Sequence, residues 1–150
     1  MRKLIYLSIS ALICGSVFFA SISHAQNRAR FDPDGSFWIH GEPPAEISEV
    51  SAINLNAKKL RRLPAQGLQI TDGTNYRFKT LTVKRNNFTF TTVALKGVSY
   101  SFSGRFLRGG NFAATALNDE VPVMEGTITR YRDGKKVAEA KLKFIYFGGT

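Results

Sequence analysis

The clearest pattern in the chain is a strict alternation of apolar and polar residues from Val98 to Phe106. One face carries the rings of Tyr100, Phe102 and Phe106, and the other carries serines and Arg105. Successive side chains of a strand point to opposite faces, so this spacing predicts a strand with one buried and one solvated face. We expect this strand to form a central wall of the core and to fix the register of its neighbours.

Turn signals recur along the chain from residue 67 onward, as in an antiparallel sandwich or barrel. They are Asp72-Gly73, Asn86-Asn87, Lys96-Gly97, Gly109-Gly110 and Asp133-Gly134. The segments between them alternate as strands do, and no stretch of comparable length has helical periodicity. The predicted strands here are Leu68 to Thr71, Tyr76 to Lys84, Phe88 to Leu95, Val98 to Leu107, and Asn111 to Ala116.

Two further strands are predicted before this meander, at Phe37 to Ile39 and within Ile47 to Asn56. Trp38, the only tryptophan, is expected to be a core anchor, although an exposed tryptophan on a binding face is a known use. We therefore predict one all-β domain over residues 37–150. It is an antiparallel meander of about eight strands that forms a small barrel, with a β-sandwich as the alternative.

The last hairpin has apolar positions on both strands, including Ile128 before the turn and Ala138 after it. A two-residue turn at Asp133-Gly134 would place these two sets on opposite faces. We therefore predict a three-residue loop, Arg132 to Gly134, which sets Ile128 opposite Ala138. The small residues on this face, Gly126 among them, leave room that the rings of the Val98 to Phe106 strand are expected to fill.

This hairpin resembles the terminal hairpin of hot-dog-fold dehydratases and thioesterases. The resemblance lies in Gly126-Thr127-Ile128 and in the segment from Asp133 to Ala140. That family also has a long central helix wrapped by its sheet, and no segment after residue 25 is expected to supply one. The activity of the family is therefore not carried over to this chain.

The first 25 residues have the organisation of a secretory signal peptide. Arg2 and Lys3 form a positive region, Leu4 to Ala20 an apolar region, and Ser23-His24-Ala25 a small-x-small cleavage site. We predict cleavage after Ala25, which would make the protein periplasmic or secreted. Residues 26–36, which follow the cleavage site, are predicted to form a flexible arm and a turn. An uncleaved anchor is the alternative, since Leu4 to Ile22 is about long enough to span a bilayer.

The composition shows that the chain is strongly basic and that it has a single cysteine. The formal net charge is +10, and loss of Arg2 and Lys3 with the signal peptide leaves +8. The only cysteine, Cys14, lies in the same segment, so the exported domain is predicted to have no disulfide or cysteine metal site. A basic exported domain favours an anionic polymer, the cell envelope or another anionic surface as partner.

The densest charge run provides a candidate docking site for such a partner. Four of its five residues are cations, which are most useful where phosphate or carboxylate groups can meet them. They are Lys58, Lys59, Arg61 and Arg62. A solvated surface loop is the plainer alternative, and no nucleic-acid-binding motif accompanies the run.

Candidate catalytic chemistry is sparse. His40, the only histidine after the signal peptide, is followed two residues later by Glu42, and such a pair can work as base and acid. No nucleophile elbow, phosphate loop or metal-ligand spacing is present in the sequence, so no cofactor is expected. We therefore expect a non-catalytic binding protein, with a small β-barrel enzyme of the isomerase or cyclase kind as the alternative. A second binding mode is a small apolar ligand held in the barrel by Tyr100, Phe102 and Phe106.

Overall fold

The computed structural model describes residues 33–55, 67–107, 112 and 121–147, which form a closed barrel of eight antiparallel strands. Each strand pairs with the next in the chain, and the last pairs with the first. The strands are β1 (Gly35–Ile39), β2 (Val50–Leu55), β3 (Gly67–Ile70), β4 (Asn75–Lys84), β5 (Asn87–Thr92), β6 (Val98–Phe106), β7 (Met124–Arg132) and β8 (Lys135–Phe147). The predicted all-β meander is confirmed, and it closes as a barrel rather than a sandwich.

Strand β6 has the two faces that its sequence predicts. Tyr100, Phe102 and Phe106 are buried, whereas Ser103 and Arg105 are exposed. The strand pairs with β5 on one side and β7 on the other, in continuous register with both. It therefore forms a wall of the core.

Aromatic rings fill the barrel interior around β6. The ring of Phe102 packs against Phe88, Phe90 and Phe144, with centroid distances of 5.4 to 5.8 Å. Phe112, which follows β6 in the chain, packs against Phe37 at 5.6 Å. Eight strands enclose an interior just wide enough for side chains to fill, and here large rings occupy it.

Two glycines make room for the Phe102 ring. Gly104 on β6 pairs directly with Gly126 on β7. A Cβ atom on Gly126 would collide with Cζ of Phe102 and would lie 2.7 Å from Cα of Gly104. The predicted space beside Gly126 is therefore real, and a ring of β6 fills it.

The turn of the last hairpin differs from the prediction. Asp133 and Gly134 have φ angles of 50° and 77°, and the flanking residues Arg132 and Lys135 pair directly. Two residues with positive φ form a type I′ turn, which matches the twist of a hairpin. The predicted three-residue loop is wrong.

The shared apolar face of this hairpin arises from a β-bulge instead. The register of β7 and β8 shifts by one residue next to Arg130, so that Ile128 faces Ala140 rather than Ala138. A bulge adds one residue to one strand and so reverses which side chains face inward. The sequence pattern thus predicted the common face correctly and its cause incorrectly.

The connection between β1 and β2 contains a short 3₁₀ turn, Ala45–Ile47, whose Ile47 is fully buried. Phe112, the one described residue of the predicted strand Asn111 to Ala116, is helical rather than extended. The described residues provide no long helix for the sheet to wrap, unlike the hot-dog fold. Nor does the described part of the chain contain a helix with the length and apolar character needed to cross a bilayer.

Candidate functional site

The three β6 rings proposed to hold a ligand lie in the core. Tyr100 and Phe102 are each 2 % exposed, and Phe106 is 1 % exposed. Their neighbours are other rings, such as Tyr76 at 4.9 Å from Tyr100 and Phe37 at 5.6 Å from Phe106. These are the contacts of core residues, and a ligand-binding role for the three rings stays a prediction.

The predicted acid and base lie on the surface beside the barrel end. His40 follows β1 directly, and its backbone N–H donates to the carbonyl oxygen of Lys143 at 2.8 Å. Both His40 and Glu42 are exposed, and no hydrogen bond joins their side chains in the part of the chain described. Among the described residues, no group of three or more His, Cys, Asp or Glu side chains has the arrangement of a metal site.

The basic run identified in the sequence, Lys58, Lys59, Arg61 and Arg62, lies outside the described residues. It belongs to the connection between β2 and β3. Its role as a docking surface stays a prediction.

The barrel brings a different set of cations together on its outer face. Lys84 pairs with Asn87, Asn87 with Arg105, Arg105 with Glu125, and Glu125 with Lys143, which is a straight row across β4 to β8. Directly paired residues share a face of a sheet. The neighbouring cations in this row, Lys84, Arg105 and Lys143, therefore lie two strands apart, or about 10 Å between Cα atoms.

Lys141, the next outward residue on β8, completes what we call the cationic face: Lys84, Arg105, Lys141 and Lys143. All four residues are exposed. Three of them, together with Glu125, line a depression of about 630 Å³ on the outer surface of β5 to β8. The depression thus carries three cations against one carboxylate.

Hydroxyl groups line the same depression beside the cations. Thr89, Ser103 and Thr127 occupy a row parallel to the first, on β5, β6 and β7. Gly104 and Gly126 line the depression with backbone atoms alone, because a side chain on either would point into the barrel toward Phe102. The surface therefore presents hydrogen-bond donors and positive charges in a regular array, which suits a ligand with several anionic oxygens.

Glu125 holds one of the cations in place. Arg105 donates from Nε and Nη2 to Oε1 of Glu125, at 2.9 and 2.8 Å. The side chain of Arg105 is nevertheless 65 % exposed. An exposed pair of this kind contributes little stability, so its main effect is to orient a guanidinium that solvent and ligands can still reach.

A second polar cluster lies at one end of the barrel. Oε1 of Glu49 accepts hydrogen bonds from the Tyr100 hydroxyl at 2.9 Å and from Nη1 of Arg130 at 2.8 Å. Burial, followed by the hydrogen bond to Glu49, raises the pKa of the Tyr100 phenol, and the same carboxylate raises the pKa of Arg130. Through these two hydrogen bonds, Glu49, the residue just before β2, is joined to Tyr100 on β6 and to Arg130 on β7.

The only tryptophan is on the outer face and not in the core. Trp38 is 48 % exposed, and its ring centroid lies 4.9 Å from that of Phe147, which is 46 % exposed. Trp38 pairs with Ile145 on the neighbouring strand, so it points outward with Phe147 while Phe37 points inward. The expectation that Trp38 anchors the core is wrong, because the alternation of β1 buries Phe37 in its place.

Comparison with protein-family models, curated proteins and solved structures finds no match for this chain. A function for the chain therefore rests on its own residues. The feature that sequence reasoning missed is the cationic face, whose four members are spread over three strands, β4, β6 and β8. Alternation marks each of these residues as solvent-facing, but only the register of the strands shows that they are neighbours.

Proposed function

We propose that this chain is an exported, non-catalytic binding protein whose cationic face recognises an anionic partner. The observation that carries the proposal is the depression on β5 to β8, which Arg105, Lys141 and Lys143 line together with three hydroxyl groups. The row of paired residues extends the same charge to Lys84. The formal net charge, +10 for the full chain and +8 after loss of Arg2 and Lys3 with the signal peptide, favours the approach of any anionic surface.

The packing of the interior also favours binding at the outer surface. The rings of Phe88, Phe90 and Phe102 lie within 5.5 Å of one another, centroid to centroid, and they take up space that a ligand would need. The outer depression, by contrast, has the volume of a small-ligand site and is open to solvent. A ligand with repeated phosphate, sulfate or carboxylate groups matches cations at intervals of about 10 Å.

Neutralising the cationic face tests this proposal. In the triple variant Lys84→Gln, Lys141→Gln and Lys143→Gln, we expect affinity for heparin to fall about 100-fold at low salt. Each cation near an anionic surface is worth about 1 kcal/mol, so three contribute about 3 kcal/mol. The measurement is elution from a heparin resin, followed by titration in solution.

The matched control neutralises three exposed cations elsewhere, Arg77→Gln, Lys79→Gln and Lys135→Gln. Both variants lower the net charge by the same amount, so the control should bind heparin within about threefold of the parent protein. Equal losses in the two variants would show that only total charge matters and would overturn the proposal. Unchanged binding in the cationic-face variant would overturn it as well.

A further inference from the structure

The cationic face adjoins an exposed aromatic pair, and both lie partly on one strand. The last four outward residues of β8 are, in order, Lys141, Lys143, Ile145 and Phe147. Trp38 on β1 lies beside Ile145 and packs against Phe147. A single surface therefore changes from cations to apolar side chains over four successive outward positions of β8.

The Trp38 and Phe147 rings do not form a flat stacking surface. The two rings are tilted by 41° and partly cover each other, while nearly half of each side chain remains exposed. A sugar ring or a base would need a free aromatic face for stacking. A tilted pair with exposed edges instead suits insertion into a soft apolar medium, and tryptophan is enriched where such a medium meets water.

The lysines next to the aromatic pair indicate that the apolar medium carries negative charge at its surface. Lys141 and Lys143 precede Phe147 on β8, and the backbone N–H of His40 on the neighbouring chain segment donates to the carbonyl oxygen of Lys143. Lysine side chains next to apolar groups reach toward the phosphates of anionic lipids, which attract cations strongly. A second copy of this chain would carry the same positive charge, so self-association through this surface would bring like charges together.

We propose that this surface docks on an anionic phospholipid bilayer, with Trp38 and Phe147 entering the interface and Lys141 and Lys143 meeting lipid phosphates. This inference rests on the proposed function, since it names the partner of the cationic face. Docking of this kind is peripheral and needs both components. Loss of either the rings or the lysines should therefore weaken it.

Trp38 is the only tryptophan in the chain, so its fluorescence reports on this surface alone. Vesicles containing phosphatidylglycerol should shift its emission to shorter wavelength and protect it from acrylamide, whereas pure phosphatidylcholine vesicles should do neither. The double variant Lys141→Gln and Lys143→Gln should abolish the shift. Phe147→Ala should weaken vesicle binding about tenfold while leaving elution from heparin unchanged.

The matched control is Val93→Ala with Val137→Ala, which truncates two exposed apolar side chains elsewhere on the barrel. It should bind vesicles like the parent protein. If the cationic face governs heparin binding but vesicles leave Trp38 emission unchanged, lipid docking is wrong and the proposed function stands. A shift with heparin but not with vesicles would assign the surface to a soluble polyanion and overturn lipid docking. Heparin binding that ignores the cationic face would overturn the proposed function itself.

Discussion

Replacing Gly126 with alanine should lower the free energy of unfolding by about 3 kcal/mol, at the upper end of the usual cost of overpacking a core. The added Cβ would collide with Cζ of Phe102 and would press on Cα of Gly104 across the strand pair. The Phe102 ring has little freedom to move, because Phe88, Phe90 and Phe144 surround it. Urea unfolding followed by far-ultraviolet circular dichroism measures the loss.

A second substitution shows whether the collision is the cause. Phe102→Leu removes the ring atom that the new methyl group would strike, so Gly126→Ala should cost about 1 to 2 kcal/mol less in that background. Ser103→Ala, on the outer face of the same strand, should change the free energy of unfolding by less than about 0.5 kcal/mol. Additive losses in the double variant would contradict the close packing of Phe102 on Gly126.

The second large effect is expected at Glu49. Glu49→Ala removes the acceptor for both Tyr100 and Arg130, and it should lower the free energy of unfolding by about 2 kcal/mol. Leaving a partly buried guanidinium without its partner is costly, although the 35 % exposure of the Arg130 side chain limits the loss. Thermal and urea unfolding both measure it.

Two variants separate the effect of the cluster from a general effect of charge. Glu49→Gln keeps a hydrogen-bond acceptor and should lose about half as much as Glu49→Ala. Glu46→Ala removes an exposed carboxylate from the adjacent 3₁₀ turn and should be nearly neutral. A loss at Glu46 as large as that at Glu49 would show that the hydrogen bonds do not stabilise the barrel.

The sequence predicted the parts of the fold that depend on local alternation. The prediction of strand β6 was correct to within one residue in its bounds and was correct for both of its faces. Period-two alternation depends on neighbouring residues alone, so it can be recognised in the sequence. The bulge next to Arg130 was not predictable in this way. It depends on how β8 pairs with β7 along its whole length, and a two-residue turn with a bulge gives the same apolar face as a three-residue loop.

The position of Trp38 shows a second limit. Size and hydrophobicity favour burial of a tryptophan, but Phe37 precedes it on the same strand and only one of the two can face inward. The barrel buries Phe37 against Phe106 and Phe112. Which of two adjacent aromatic residues is buried thus depends on partners distant in sequence.

The candidate site was the least predictable feature. The run from Lys58 to Arg62 attracts notice because its charges are consecutive, whereas the cationic face gathers residues from β4, β6 and β8. Each of those residues looks like an ordinary solvated position in its own strand. Their proximity follows from the pairings of Asn87 and Glu125 with their neighbours across the sheet.

The most direct test of the account compares the accessibility of each lysine with and without an anionic partner. The protein is acetylated briefly, alone and with heparin, and modification at each lysine is measured by mass spectrometry. We predict protection of Lys84, Lys141 and Lys143, with Lys79 and Lys135 modified equally in both samples. Protection confined to Lys58 and Lys59, or no protection at all, would contradict the cationic face as the binding surface.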